Sequence, residues 1–331
     1  MHRSICSIFC VLVPLLNGHL LHAQSLSAVP SALKAQTHRN AAKALAVRHN
    51  YLQAIEEYQQ AYTLDKVLDV GASEIDLNNI GLAYFHLSQY DKSIDFWQQA
   101  LFIARQAKDK KGEAKALSNL GLAYGSLSQL TKAINFWQQA LLIKREVNDA
   151  AGEADILYDL GTAYNELKQS IKAIDFFQKA LSIKRDVKDR PGEANTLYNL
   201  GLAYIYLKHS ARAIDLWQQA LLIERGINDL TGEAKTLYNL GHAFDDLGLY
   251  DKGISFYQQA LSVQRKSNDK AGEANTLSNL GSVYYNMRQY SKAVAFYQQA
   301  LTIERDIKDR AGEADTLNSL AAVQKSSYLS Q

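Results

Sequence analysis

GEANTLYNLGLAYIYLKHSARAIDLWQQALLIERGIND, residues Gly192 to Asp229, decides the fold, because close copies of it recur at one fixed period along the chain. The Gly-Glu-Ala start returns at Gly112, Gly152, Gly232, Gly272 and Gly312, and a Leu-Gly pair or its analogue follows each one, eight residues after the Glu. A period in this range builds a solenoid, in which each unit buries its apolar face only against its neighbours.

Within the quoted stretch two helices are expected, from about Arg190 to Lys208 and from about Ala211 to Ile227. Leu197, Leu200, Gly201 and Tyr204 fall at i, i+3, i+4 and i+7, the stripe of one buried helical face, and Ala213, Trp217, Ala220 and Leu221 continue an equivalent stripe in the second. The short Lys208-His209-Ser210 link makes the pair antiparallel. Asp109, Asp149, Asp189, Asp229, Asp269 and Asp309 each precede a first helix and can cap its free amides, and Pro191 sits within the first turn after Asp189, where its missing N–H costs nothing. Glycine recurs at Gly81, Gly121, Gly161, Gly201, Gly241 and Gly281, paired with a ring at Trp97, Trp137, Phe177, Trp217, Tyr257 and Tyr297. Glycine inside a helix costs roughly 1 kcal/mol against alanine, so its recurrence at one register predicts a steric reason: Gly201 and Ala213 let two axes approach while Tyr204 and Trp217 fill space toward the neighbouring pair.

Leu197, Leu200-Gly201, Tyr204, Ala213, Trp217 and Ala220 together resemble the tetratricopeptide repeat (TPR) pattern at its usual relative spacing, over about residues 51–325. The unit departs from that pattern in its 40-residue length and in having Arg225 where a proline usually stands near the end of the second helix. It is similar in length to the repeats of kinesin light chains, of spindle-orientation adaptors, and of bacterial proteins that join such repeats to a caspase-like CHAT domain. The resemblance implies an all-α, right-handed TPR superhelix, an α-solenoid of about seven helix pairs plus a C-terminal capping helix. The expected solenoid spans 32–328: a degenerate first repeat at 32–66, repeats at 73–107, 111–147, 151–187, 191–227, 231–267 and 271–307, and the capping helix at 311–326. In that helix Ala321 replaces the glycine and Gln324 stands where Tyr204 or Tyr284 would meet a further pair, a polar outer face that suits a terminal cap.

The N-terminus looks like an export signal over residues 1–23: His2 and Arg3, then an apolar run from Ile5 to Leu16, then a cleavage site near Ala23. A small, polar linker occupies 24–31. The run is too short to span a bilayer as a helix, so no integral membrane span is expected in the mature chain, which would be periplasmic or secreted. Cys6 and Cys10 both lie in that leader, which leaves the mature chain without disulfides, thiolate metal sites or a cysteine nucleophile. Composition is globular, with 47% hydrophobic and 21% charged residues. The formal charge is +2, and losing residues 1–23 removes Arg3 alone. Basic and acidic side chains alternate along the repeats, so no nucleic-acid footprint follows.

No catalytic constellation emerges: His38, His49, His86, His209 and His242 pair with nothing at metal-ligand spacing, and no HExxH, GxSxG or phosphate-binding glycine loop is present. The expectation is a chain that is not an enzyme and carries no metal or cofactor. What stands out is a ladder of Asn79, Asn119, Asp159, Asn199, Asn239 and Asn279, each two residues before the packing glycine. Asn199 shares a stripe with Asn195, Leu202 and Tyr206 and should border the concave face. Its amide offers donor and acceptor together, suited to the backbone of an extended peptide, and the TPR resemblance implies this role for the six positions. The same residues could equally bond an adjacent helix and fix repeat stacking. Tyr158, Tyr198, Tyr238, Leu202, Ile205 and Tyr206 complete the candidate peptide-binding surface, and because these registers vary between repeats they would set specificity. The function expected is a non-catalytic scaffold that holds a peptide or protein segment in the concave groove. Two alternatives stay open: the sensor half of a TPR–CHAT protein, and a structural module that self-associates through its ends.

Overall fold

The structure, a computed structural model, describes residues 31–66 and 69–329. The expected leader and all of the linker except Ser31 lie outside the described residues.

Among the described residues the chain is all-α, with fifteen helices and no strand. Helix α1 spans 31–47, followed by α2 (Tyr51–Asp65), α3 (Val70–His86), α4 (Tyr90–Ala107), α5 (Lys110–Ser126), α6 (Leu130–Glu146), α7 (Ala150–Glu166) and α8 (Ser170–Asp186). Then come α9 (Arg190–Tyr206), α10 (Ser210–Ile227), α11 (Leu230–Asp246), α12 (Tyr250–Lys266), α13 (Lys270–Asn286), α14 (Tyr290–Asp306) and α15 (Arg310–Leu329). Odd and even helices alternate as the first and second members of seven pairs, and α15 stands alone, as expected of a TPR solenoid. The chain divides into two compact units, one ending at Ile156 and the other starting at Leu157.

The expected aspartate caps form. Asp189 Oδ1 accepts from the Gly192 amide at 3.0 Å, and Asp229, Asp269 and Asp309 repeat the bond with Gly232, Gly272 and Gly312. Asp69 does the same for α3, accepting from the Ala72 amide. The second helices start without any side-chain cap, at Gln89, Gln129, Gln169, His209, Leu249 and Gln289. Their entry is set by the turn before them, where Ser88, Ser128, Lys168, Lys208, Gly248 and Arg288 take a left-handed conformation. Gly248 is the one glycine with positive φ among the described residues, so the other such turns hold an L side chain in a region it disfavours.

The recurring Gly-Glu-Ala signature has three separate causes. A β-carbon on Gly192 would collide with Asp189 Oδ2, the capping carboxylate. Glu193 Oε1 accepts from Arg185 Nε at 2.9 Å across the pair junction. Ala194 is buried. The ion pair returns at the α4–α5, α6–α7, α10–α11, α12–α13 and α14–α15 junctions as Arg105–Glu113, Arg145–Glu153, Arg225–Glu233, Arg265–Glu273 and Arg305–Glu313, at 2.6–2.8 Å. Exposed pairs contribute only about 0–1 kcal/mol each, so they orient the junction more than they stabilise it.

The mid-helix glycine has its steric reason within the pair. The Trp217 ring lies on Gly201, where a β-carbon would collide with Trp217 Nε1, and the same core cluster takes in Leu237 and Leu240 of the next pair. The indole N–H then reaches the Tyr198 carbonyl at 3.0 Å. Trp97 stands in the same relation to Gly81 and the Asn78 carbonyl, and Tyr257 and Tyr297 press on Gly241 and Gly281. In the first unit, α1, α2 and α3 are joined by a buried ionic knot: Arg39 bonds Asp76 through Nε at 2.7 Å and contacts Asp65 through Nη2. Burial raises the Asp76 pKa against the pull of Arg39, whose own pKa is raised by the Asp76 bond. In the second unit α15 packs Val323 against Ala293 and Tyr297, while Ala321 and Gln324 are exposed.

Candidate functional site

The asparagine ladder lies along the first helices, half-buried, and in the second unit its amides are engaged within the protein. Asn199 Nδ2 donates to the Tyr158 hydroxyl at 2.8 Å, Asn239 Nδ2 to Tyr198 at 2.9 Å, and Asn279 Nδ2 to Tyr238 at 2.6 Å. Each bond spans 41 residues and joins one first helix to the next. Asn199 and Asn239 also donate to the carbonyls of Asn195 and Lys235, one turn back at 3.0 Å. A carbonyl can only accept, so these bonds fix which way the amide is turned, and Oδ1 is the atom left for anything outside.

This corrects the expectation that Asn199 and Asn239 offer donor and acceptor together: both Nδ2 hydrogens are spent. Tyr158, Tyr198 and Tyr238, expected as specificity residues, are the acceptors of the ladder and pack against Phe177, Trp217 and Tyr257 with ring centroids 5.8, 6.4 and 5.9 Å apart. Burial raises the pKa of Tyr158 and Tyr198, which keeps both hydroxyls protonated. In the first unit the register holds Asn78 in place of tyrosine, and Asn119 Nδ2 reaches Asn78 Oδ1 only at 3.4 Å. Asn79 makes no side-chain hydrogen bond among the described residues. It lines a 210 Å³ cavity between α1 and α3 with Val47, Tyr51, Leu82 and His86, whose ring stacks on Tyr51 at 4.8 Å. Asp159 is half-buried and partnered within the chain.

The remaining candidates stay open to solvent. Tyr206 is 68% exposed, and Leu202 and Ile205 are half-buried beside it on α9. In the first unit Leu82 and Leu122, at the register of Leu202, are 41% and 37% exposed.

Sequence reasoning missed a second recurring register, at the junction of a second helix with the next first helix. Thr236 Oγ1 donates to Glu224 Oε1 at 2.8 Å, Thr276 to Gln264 at 3.0 Å and Thr316 to Glu304 at 2.9 Å. Glu224 is 2% exposed and its Oε2 has no partner; burial, then the charges of Asp229 and Glu233, push its pKa up to about 7. Glu or Gln stands at the same distance before Thr in all three junctions, and that constant spacing is the signal the sequence offers. No group of three or more His, Cys, Asp or Glu that could hold a metal occurs among the described residues, and none of their helices is long and apolar enough to cross a membrane.

The tetratricopeptide repeat family model matches residues 73–146, 112–186, 152–223 and 232–306, more than half of the chain. The chain belongs to the tetratricopeptide repeat family. A search of curated proteins gave no match. Among solved structures, this TPR chain is similar to the apo form of RapI, at 18% identity and a TM-score of 0.64, over 83% of this chain and 99% of that one. It is similar to a Rap protein complexed with Competence and Sporulation Factor, at 15% identity and a TM-score of 0.53, over 90% and 98%. It is also similar to BtubC (BKLC) from P. vanneervenii, at 21% identity and a TM-score of 0.59, over 66% and 89%. At these identities the likeness shows a shared fold.

Proposed function

We propose that this TPR protein is a non-catalytic, exported scaffold that holds a protein or peptide segment along the face of its first helices. The observation that carries the reading is the set of apolar side chains left on that face within each unit. Leu82 and Leu122 in the first unit, and Leu202 and Tyr206 in the second, remain exposed or half-exposed although the packing registers beside them are filled. Contiguous exposed apolar side chains rimmed by polar groups mark interaction surfaces, and Leu82 with Leu122, and Leu202 with Tyr206, are the candidates in each unit. Asn199 Oδ1 and Asn239 Oδ1 stand beside these side chains as acceptors for backbone N–H groups, and the Asn79 amide adds donors at the cavity over α1 and α3. The fold is compatible with such a role, since a Rap protein of this fold is known in complex with Competence and Sporulation Factor. Each bond contributes about 0.5–1.5 kcal/mol net, so capture would draw on several repeats together.

The test is site-specific photo-crosslinking. A photoreactive residue at Leu202 should trap a partner in the exported fraction, whereas the same residue at Leu222, exposed on a second helix, should not. Equal trapping from both positions would reject the face assignment. Export is tested by N-terminal sequencing of the protein from that fraction, which should start just after Ala23.

A further inference from the structure

Two successive second helices of the first unit, α2 and α4, border an open groove of about 640 Å³, lined by Tyr62 of α2 and by Asp95, Gln98, Gln99, Phe102 and Ile103 of α4. Two aromatic side chains gather here at registers that hold none in the later repeats. Tyr62 follows Tyr58 by four residues, where leucine stands four after Trp97, Trp137, Phe177, Trp217, Tyr257 and Tyr297. Phe102 stands at the register of Leu142, Ser182, Leu222, Ser262 and Thr302, is 65% exposed, and stacks on no other ring among the described residues. The lining carries one charge, and nothing beside it neutralises that charge. Asp95 is exposed and makes no ion pair among the described residues. At the same register in α8, Asp175 is met one turn on by Lys179 at 2.6 Å, but α4 places Gln99 there. Lys92, three residues before Asp95, lies over the Tyr84 ring at 5.1 Å. Gln99 Nε2 donates to the Asp95 carbonyl at 3.2 Å, which leaves Gln99 Oε1 as an acceptor.

We propose that this groove is the docking site for an arginine side chain of a partner protein. The occupant is argued from charge and shape together: the groove offers a carboxylate, amide oxygens and two aromatic rings, and no cation of its own. A guanidinium is a flat cation with donors only, and it binds a carboxylate through two parallel hydrogen bonds. Asp95 supplies the carboxylate, and Gln99 Oε1 accepts a further N–H. Phe102 lies two turns beyond Asp95 on α4, and helical side chains lean toward the N-terminus, so its ring reaches back over the turn that holds Gln98 and Gln99. An arginine that binds Asp95 then lays its apolar stem along that ring, with Tyr62 as the wall on the α2 side. The rings attract the cation as well as covering its stem. Lysine would bring a compact, strongly hydrated charge with no fork for the two carboxylate oxygens. A volume of about 640 Å³ falls within the usual range of ligand sites, about 300–1,000 Å³, and leaves room for the partner residues beside the arginine. The groove belongs to second helices and does not depend on the face of the first helices.

The probe is the capped peptide acetyl-Gly-Arg-Gly-amide, titrated into the full chain at low salt while the methyl resonances of Ile103 are followed by NMR. Saturable shifts are expected for the wild type. Citrulline in place of the peptide's arginine keeps the shape and removes the charge, and should abolish them. Lysine in that place should bind several-fold more weakly. Asp95→Asn and Phe102→Ser, the second of which installs the serine of α8 and α12 at this register, should each weaken the arginine peptide several-fold. Both side chains are exposed, so unchanged melting temperatures of the two variants show that loss of binding is not loss of fold. Leu122→Ser, on the face of the first helices, should leave the titration as it is, and weakening by it would place the site elsewhere. The absence of saturable shifts up to the solubility limit, equal binding of the citrulline or the lysine peptide, or undiminished binding by Asp95→Asn would overturn the assignment.

Discussion

The Tyr198 hydroxyl accepts a hydrogen bond from Asn239 Nδ2, 2.9 Å away and one repeat further along the chain. The same two residue types are linked at Tyr158–Asn199 and Tyr238–Asn279, so in the second unit an aromatic ring that packs inside one pair also fastens the next. Tyr198→Phe and Asn239→Ala should each lower stability by about 1 kcal/mol, the net contribution of a typical internal hydrogen bond. A double-mutant cycle by urea unfolding should return a coupling of at least roughly 0.5 kcal/mol, the lower bound for residues in contact. A coupling near zero would mean that the bond contributes nothing to repeat stacking.

Glu224 gives the stability a pH dependence of definite sign. Its folded pKa, about 7, lies above the ordinary 4.5, so the folded chain binds the extra proton. Stability from this group is fully present below pH 4.5 and is lost as pH rises through about 7. Glu224→Gln should flatten this slope and raise the melting temperature at pH 8 by several degrees. Gln264, bonded to Thr276 at the same register, shows that the amide fits. A melting temperature at pH 8 that is unchanged or lower in the variant would contradict this account.

Two helical glycines should respond in opposite directions to alanine. Gly201→Ala drives a methyl group into the Trp217 ring and should cost about 1–3 kcal/mol, the range for overpacking. Gly226, inside α10, has nothing within 4 Å of its would-be β-carbon, so Gly226→Ala should gain up to about 1 kcal/mol from helix propensity alone. Thermal melts of the two variants side by side check both signs.

The turns before the second helices allow a similar contrast. Lys208 sits at φ 60°, so Lys208→Gly should stabilise by about 1 kcal/mol, and Gly248→Ala, at φ 70° with open space around it, should destabilise by about as much. Equal melting temperatures for the wild type and Lys208→Gly would show that another contact of the lysine offsets the backbone cost.

The fold is legible in the sequence because the quoted block carries its own checks. Glycine, ring, capping aspartate and apolar stripe recur together, and a pattern repeated in every unit needs no tertiary information to be seen. The site is less legible. Asn199 is visible as a recurring polar residue in mid-helix, but whether it faces a ligand or a neighbour depends on how successive first helices are superposed, a matter of side-chain reach that periodicity does not carry. That Trp217 lies on Gly201 and bonds the Tyr198 carbonyl is hidden for the same reason: helical periodicity gives a direction around the axis and not the atoms met there. Glu224 and Thr236 are readable as a spacing, but burial of the carboxylate gives that spacing its chemistry. Phe102 is readable as a departure from leucine, serine and threonine, and only the groove it shares with Asp95 gives the departure a meaning.

The Arg185–Glu193 bond and its copies span eight residues, the Glu224–Thr236 type twelve, and the Tyr198–Asn239 type 41. All three join a repeat only to the one that follows it. For the Arg–Glu pair, which recurs at all six junctions from α4–α5 onward, a whole repeat duplicated or deleted in register would leave each remaining pair complete. Length is then a quantity that this architecture can change in whole steps with its recurring ion pairs kept, and a reach matched to a longer or shorter partner is open to simple gene rearrangement.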